Sequence, residues 1–270
     1  MQGLRFRYSG VNPSAPVAYC SFYAMHTVVE ILFVSHDEKR AREEADNMKA
    51  MADCLEAELS RHFGGGPLHR LNSSLSFEDA GEELFFCLEL CEQFRGACKG
   101  YFDIAALGPS RERPAYLLDT SGHRAKRVSG DVIVDLGGFA KGYAAEKIRK
   151  YLEGEGVSDA LVNFGNSTVL GVGHHPLGDC WKVSPSSDET KCFNLKNSAL
   201  SVSGVQVDGR RHIVDPVTMT CPSKGYDVVV TGKSALLCEV LSTALYAAPE
   251  RMQDEIMNKF PAYSAGHIRL

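Results

Sequence analysis

The chain has 270 residues, 44% apolar and 23% charged, the composition of an ordinary soluble globule of one large or two small domains. Its formal net charge of −5 argues against a nucleic-acid binder, which carries a basic stripe. No apolar run reaches membrane-span length, and Met1-Gln-Gly-Leu-Arg-Phe-Arg7 lacks a hydrophobic signal core or lipobox, so a cytoplasmic protein is expected. In chain order, Met25 to Val34 is rich in β-branched and apolar residues and predicts a strand. Ser35-His-Asp-Glu38 has the capping-box pattern, and Ala41, Ala45, Met48, Leu55 and Leu59 continue at helical spacing up to Gly64-Gly-Gly66. A second helix is expected from Gly81 to Ala97. Residues 108–130 read as loop with a short strand near Tyr116-Leu-Leu118, and Arg124-Ala-Lys-Arg127 reads as a solvated turn.

Val132-Ile-Val134 predicts a strand that leads through a glycine turn into a helix from about Ala140 to Glu153. Ala160 to Asn163 and Thr168 to Leu170 read as strands around Gly165, and residues 180–231 as short strands and turns. Ser234 to Ala247 is helical, a short helix follows Pro249, and Tyr263 to Ile268 reads as a closing strand. Runs of strands with segregated helices make the fold class α+β. The nine cysteines show no zinc-like pairing and read as reduced, mostly buried thiols. Cys87 and Cys91 share a helix face and read as packing.

Several segments carry groups suited to chemistry. Asp135-Leu-Gly-Gly-Phe-Ala-Lys-Gly142 offers glycine backbone, a helix start with unpaired N–H groups, and the Lys141 ammonium. From the residues alone it reads equally as a phosphate or pyrophosphate cradle and as a plain turn before a surface helix. Glu239 and Thr243 lie four residues apart on one helix, so a carboxylate and a hydroxyl are stacked as two oxygen ligands for a hard cation; a solvent-facing helix edge gives the same spacing. His212 sits at a predicted strand start and Asp215-Pro216 where that strand must end, so His212 is a candidate general base, though a structural strand-edge histidine fits the same placement. Gly100-Tyr-Phe-Asp103 offers aromatics either to a flavin or base or to core packing, and Asn163-Phe-Gly-Asn-Ser167 reads equally as amides for a polar ligand and as a plain turn. His174-His175 reads as a hairpin loop.

In this order and spacing, Met25-His-Thr27, Leu59-Ser60, Leu71-Asn72, Gly100-Tyr-Phe-Asp103, the glycine turn, Asn163-Phe-Gly165, Ser203-Gly204, His212-Ile-Val-Asp-Pro216 and Glu239-Val-Leu-Ser-Thr243 resemble the ApbE family of FAD:protein FMN transferases. The resemblance implies an ApbE-like, T-fold-like α+β domain over residues 1–270, with mixed antiparallel sheets and packed helices. It implies FAD as substrate and Mg²⁺ as metal, with FMN moved onto a Thr or Ser hydroxyl of an acceptor protein and AMP released. The implied metal ligands are the Ala140 carbonyl, Glu239 and Thr243. The implied proton acceptor is His212, in a segment organised by Asp215. Met25, Asn72, Tyr101, Asp103, Gly137, Gly138, Lys141, Asn163, Gly165 and Ser203 would bind FAD. The family commonly has Asp where Glu239 stands and Gly where His26 stands, and its stretch between Asp103 and Asp135 is usually longer. Hydrolysis of FAD to FMN and AMP, and FAD binding without catalysis, are the two alternative activities.

Overall fold

The computed structural model describes residues 3–185, 191–204 and 213–269. β1 (Arg5–Ser9) pairs antiparallel with β2 (Val17–Ala24), and β2 pairs along its length with β3 (Thr27–Val34). The strand expected from Met25 therefore starts two residues later. Met25 and His26, at φ 52° and 59°, form the positive-φ pair of a tight two-residue hairpin. Alternate residues of the hairpin (Ala18, Cys20 and Phe22 against Phe33, Ile31 and Val29) are buried on one face.

α1 (Glu38–Leu59) lays Ala41, Ala45, Met48, Ala52 and Leu55 on that core. Its N-cap is Asp37, whose carboxylate accepts the Arg40 N–H at 3.0 Å. Ser35 lies two residues before the N-cap, too early for the expected capping box, and its hydroxyl bonds the Asp37 carbonyl instead. α2 (Pro67–Ser73) opens on a proline at its first turn, where no N–H is needed. A small sheet of β4 (Glu78–Asp79), β5 (Tyr116–Asp119) and β6 (Arg124–Arg127), in order β4-β6-β5, flanks α3 (Gly81–Ala97).

Two expectations fail here for one reason. Val132 to Val134 is not a strand: the Val132 N–H bonds the Ser129 carbonyl, and a side chain holds the Val134 backbone. The Asn72 amide donates to the Val134 carbonyl at 2.7 Å and accepts the Val134 N–H at 2.8 Å. Nor is Arg124 to Arg127 a solvated turn. Arg127 is buried, and its guanidinium donates to the Leu71, Ser74, Gly130 and Val132 carbonyls. Local pattern shows neither arrangement, because Asn72, Leu71 and Ser74 lie 53 to 62 residues from the groups they meet.

α4 (Ala140–Gly154) follows the glycine turn. β7 (Ala160–Phe164), β8 (Thr168–Val172), β11 (Ser198–Ser203), β12 (Tyr226–Gly232) and β13 (Ser264–Arg269) complete an antiparallel eight-stranded sheet of order β1-β2-β3-β7-β8-β11-β12-β13. β9 (Trp181–Val183) and β10 (Phe193–Leu195) form a separate hairpin that packs Trp181 and Leu195 on the sheet with Val169, Leu200 and Val229. β8 is thus buried throughout. α5 (Ala235–Ala247) packs on β11, β12 and α4, and α6 (Glu250–Met257) on α5. The main core, running from Ala18 to Ile256, lies between these helices and the sheet. This is the α+β arrangement of antiparallel sheets with packed helices that the sequence predicts.

Candidate active site

A cleft of about 970 Å³ opens where the Met25–His26 hairpin tip, the Asp103 loop, the glycine turn, β11 and α5 meet. Its floor is set by Asp135. The Asp135 N–H bonds the Ile104 carbonyl at 2.7 Å, while its carboxylate accepts the Gly137 N–H at 2.8 Å and pairs with Arg61. The Leu136 carbonyl then accepts the N–H groups of both Phe139 and Ala140 at 2.9 Å, which tightens the chain into α4.

The start of α4 does hold an anion, but that anion belongs to the chain. Glu239, 3% exposed, takes the Lys141 ammonium on Oε1 at 2.6 Å and the Gly142 N–H on Oε2. The helix dipole and the ammonium both favour a carboxylate here. The solvent-facing reading of Glu239 is therefore excluded. Glycine is required at Gly142 of this junction, and Gly138 permits a close approach. A Cβ on Gly142 would lie 2.7 Å from the Ala235 carbonyl oxygen and 2.9 Å from Glu239 Oε2; one on Gly138 would lie 3.0 Å from the Thr243 hydroxyl.

Of the residues the sequence singles out, Met25, Tyr101, Asp103, Gly137, Gly138, Lys141, Gly165, Ser203, Glu239 and Thr243 line the cleft. Asp103 is buried and already matched: Arg113 Nε donates to Oδ2 at 2.8 Å and the Ala105 N–H to Oδ1 at 2.8 Å. Gly165 turns at φ 59° directly against Thr27. Asn72, Asn163 and Ala140 do not line the cleft. Asn72 fixes the Val134 backbone below it. Asn163 holds the neighbouring turn, donating to Asn166 Oδ1 at 2.8 Å and accepting the Asn166 N–H at 2.9 Å. Ala140 opens α4 beside the cleft. His212 lies outside the described residues. Asp215 closes a turn by accepting the Val217 N–H at 2.9 Å and the Thr218 hydroxyl at 2.8 Å, and it bridges Thr220. Its neighbours Ile213 and Val214 form part of the cleft wall.

Sequence reasoning missed Arg61 and Asp227. Arg61 follows α1 and is held by its ion pair with Asp135, 74 residues on, which no local pattern shows. Asp227 is an acid at the head of an otherwise apolar strand, which is a readable signal. Gly204 makes room for it, since a Cβ there would fall 1.6 Å from its carboxylate.

A divalent cation suits the Glu239 corner on two grounds. The Lys141 ammonium shows that a positive charge fits against this buried carboxylate, and the nearby Thr243 hydroxyl adds a hard oxygen. Among the described residues no group of three His, Cys, Asp or Glu side chains is placed to hold a metal.

Residues 25–265 match the ApbE family. An FAD:protein FMN transferase of Salmonella typhimurium is 23% identical, over 87% of this chain and 79% of that protein. One from Klebsiella pneumoniae is 30% identical over 47% of this chain and 40% of its own length. Among solved structures, the flavin transferase ApbE from Vibrio cholerae superposes with a TM-score of 0.78 at 19% identity, covering 94% of each chain. The ApbE protein of Thermotoga maritima does so with a TM-score of 0.80 at 21% identity, covering 97% of each. The structural likenesses establish the shared fold, and the sequence match across nearly the whole chain establishes the lineage: the chain belongs to the ApbE family.

Proposed function

We propose that this chain is an FAD:protein FMN transferase, moving FMN from FAD to a Thr or Ser hydroxyl of an acceptor protein in a Mg²⁺-dependent reaction that releases AMP. The observation that carries the reading is the junction of α4 and α5, where Glu239, Lys141 and Thr243 meet the glycine turn at one corner of the cleft. The names of the relatives support it, as does a cleft volume at the upper end of ordinary ligand sites, which run to roughly 1,000 Å³. The proposal treats residues 1–270 as one domain, in keeping with a main core that draws on both ends of the chain.

In this reading the acceptor hydroxyl oxygen bonds to the FMN phosphorus, the pyrophosphate P–O bond breaks, and AMP leaves. A Mg²⁺ ion held by Glu239, Thr243 and the Ala140 carbonyl would neutralise the pyrophosphate and the leaving phosphate. Lys141 has two tasks: it pairs with Glu239 before substrate binds and supplies cationic charge to the phosphates afterwards. Arg61, tethered by Asp135, adds a second positive wall. His212 would accept the hydroxyl proton, with the Asp215 turn fixing the segment that follows it.

The test incubates the full chain with FAD and Mg²⁺, with and without an acceptor protein, reading AMP by chromatography and protein-bound flavin by fluorescence. AMP that appears only with the acceptor, together with labelled acceptor, is expected. AMP without labelling would make the chain an FAD pyrophosphatase, and intact FAD would make it a flavin-binding protein. His212→Ala is expected to stop labelling while the circular dichroism spectrum is retained; labelling at the wild-type rate would remove His212 from the mechanism.

A further inference from the structure

We infer that Ser203 and Ser242 are positioning residues that turn the Thr243 hydroxyl into an acceptor facing the cleft, so that it presents lone pairs to a divalent cation. The inference rests on the metal reading above and extends it to residues that touch no ligand.

The argument is a count of protons. A serine or threonine hydroxyl has one proton and two lone pairs. Ser242 on α5 is fully buried, and its hydroxyl donates along two directions, toward Ser201 Oγ and the Glu239 carbonyl, both at 3.1 Å. Both directions use the same proton. Ser203 Oγ on β11 lies 2.8 Å from Ser242 Oγ. Either oxygen could donate in that contact; the proposal takes the proton from Ser203, because Ser242 is the donor in both of its other contacts. Ser203 then has only lone pairs left for Thr243 Oγ1, 3.4 Å away. The Thr243 proton therefore points inward to Ser203, and its lone pairs point outward over Gly138, where the missing Cβ leaves the hydroxyl accessible. A cation needs that polarity, since an outward O–H would repel it.

The relay is fixed from its buried end. Its polarity starts at the Glu239 carbonyl, which can only accept, on the residue whose side chain would share the cation. A hydroxyl network that served packing alone would stabilise the α5–β11 contact without regard to which way Thr243 points.

The test titrates Mn²⁺ alone into the full chain, read by electron paramagnetic resonance, beside thermal unfolding of the same samples. Ser242→Ala frees the Ser203 proton to turn toward Thr243. It is expected to weaken Mn²⁺ binding about tenfold, the range seen when partners of metal ligands are removed. Ser203→Ala, at the cleft edge, serves if Ser242→Ala fails to fold, and should also weaken binding. Thr243→Ala and Glu239→Gln test the metal reading itself. If these two leave Mn²⁺ affinity unchanged, the metal reading falls and the inference with it. If they weaken binding while Ser242→Ala and Ser203→Ala bind as wild type and merely melt earlier, the positioning role alone is overturned.

Discussion

At the scale of single residues, the buried charges among the described residues meet partners, though not always at every atom. Glu239 has Lys141 and an N–H group, Asp103 has Arg113, and Arg127 has four carbonyls. Glu44 on α1 is the exception. Its Oε1 meets Arg40 Nε at 3.1 Å, yet its buried Oε2 has no hydrogen-bond partner. Burial pushes the Glu44 carboxyl above its ordinary value, against the opposing pull of Arg40. The folded state thus holds the carboxyl proton more tightly than the unfolded chain does. The contribution of Glu44 is complete below the unfolded carboxyl pKa and is lost as pH rises through the folded one. Glu44→Gln keeps the shape without the charge. It should match wild type near pH 4 and exceed it by about 1 kcal/mol near pH 7, the scale of one unsatisfied buried group. Thermal melts at several pH values would show this as a gap opening with pH; a gap of constant size would mean that the charge is not the cause.

At the scale of elements, the site is a joint between α4 and α5. Both helices were legible, because Ile148 and Leu152, and Leu237, Val240, Leu241 and Ala244, recur at helical spacing. Their contact was not legible, because it is made by an absence of side chain at Gly142. Two glycines of α4 separate the effects. Gly142→Ala drives a methyl into the Ala235 carbonyl and the Glu239 carboxylate, so it should cost about 1–3 kcal/mol and loosen the Lys141–Glu239 corner. Gly154→Ala meets nothing within 4 Å and should be neutral or gain up to about 1 kcal/mol in helix propensity. Chemical denaturation of the two variants decides it; equal effects would mean that propensity, not the joint, governs Gly142.

At the scale of the whole molecule, local pattern fixes most elements, and long-range hydrogen bonding decides the exceptions. The helix at Gly81–Ala97 matches its periodicity end to end, whereas Val132 to Val134 departs from it because Asn72 takes the place of a neighbouring strand. The cysteines test how the chain packs as a unit. Cys20, Cys87, Cys91, Cys98 and Cys238 are buried in one core drawn from β2, α3, α5 and the turn after α3. Burial raises all five thiols, Cys20 and Cys98 to about 12, so almost no reactive thiolate exists there at pH 8. Cys54 and Cys192 are exposed, and Cys180 and Cys221 partly so. A thiol-reactive dye at pH 8 should therefore label at most four sites in the native protein and all nine after unfolding without reductant. The five core thiols should appear together across the denaturation transition, because they lie in one core cluster. Stepwise appearance would divide the core into independent parts, and fewer than nine after unfolding would reveal a disulfide.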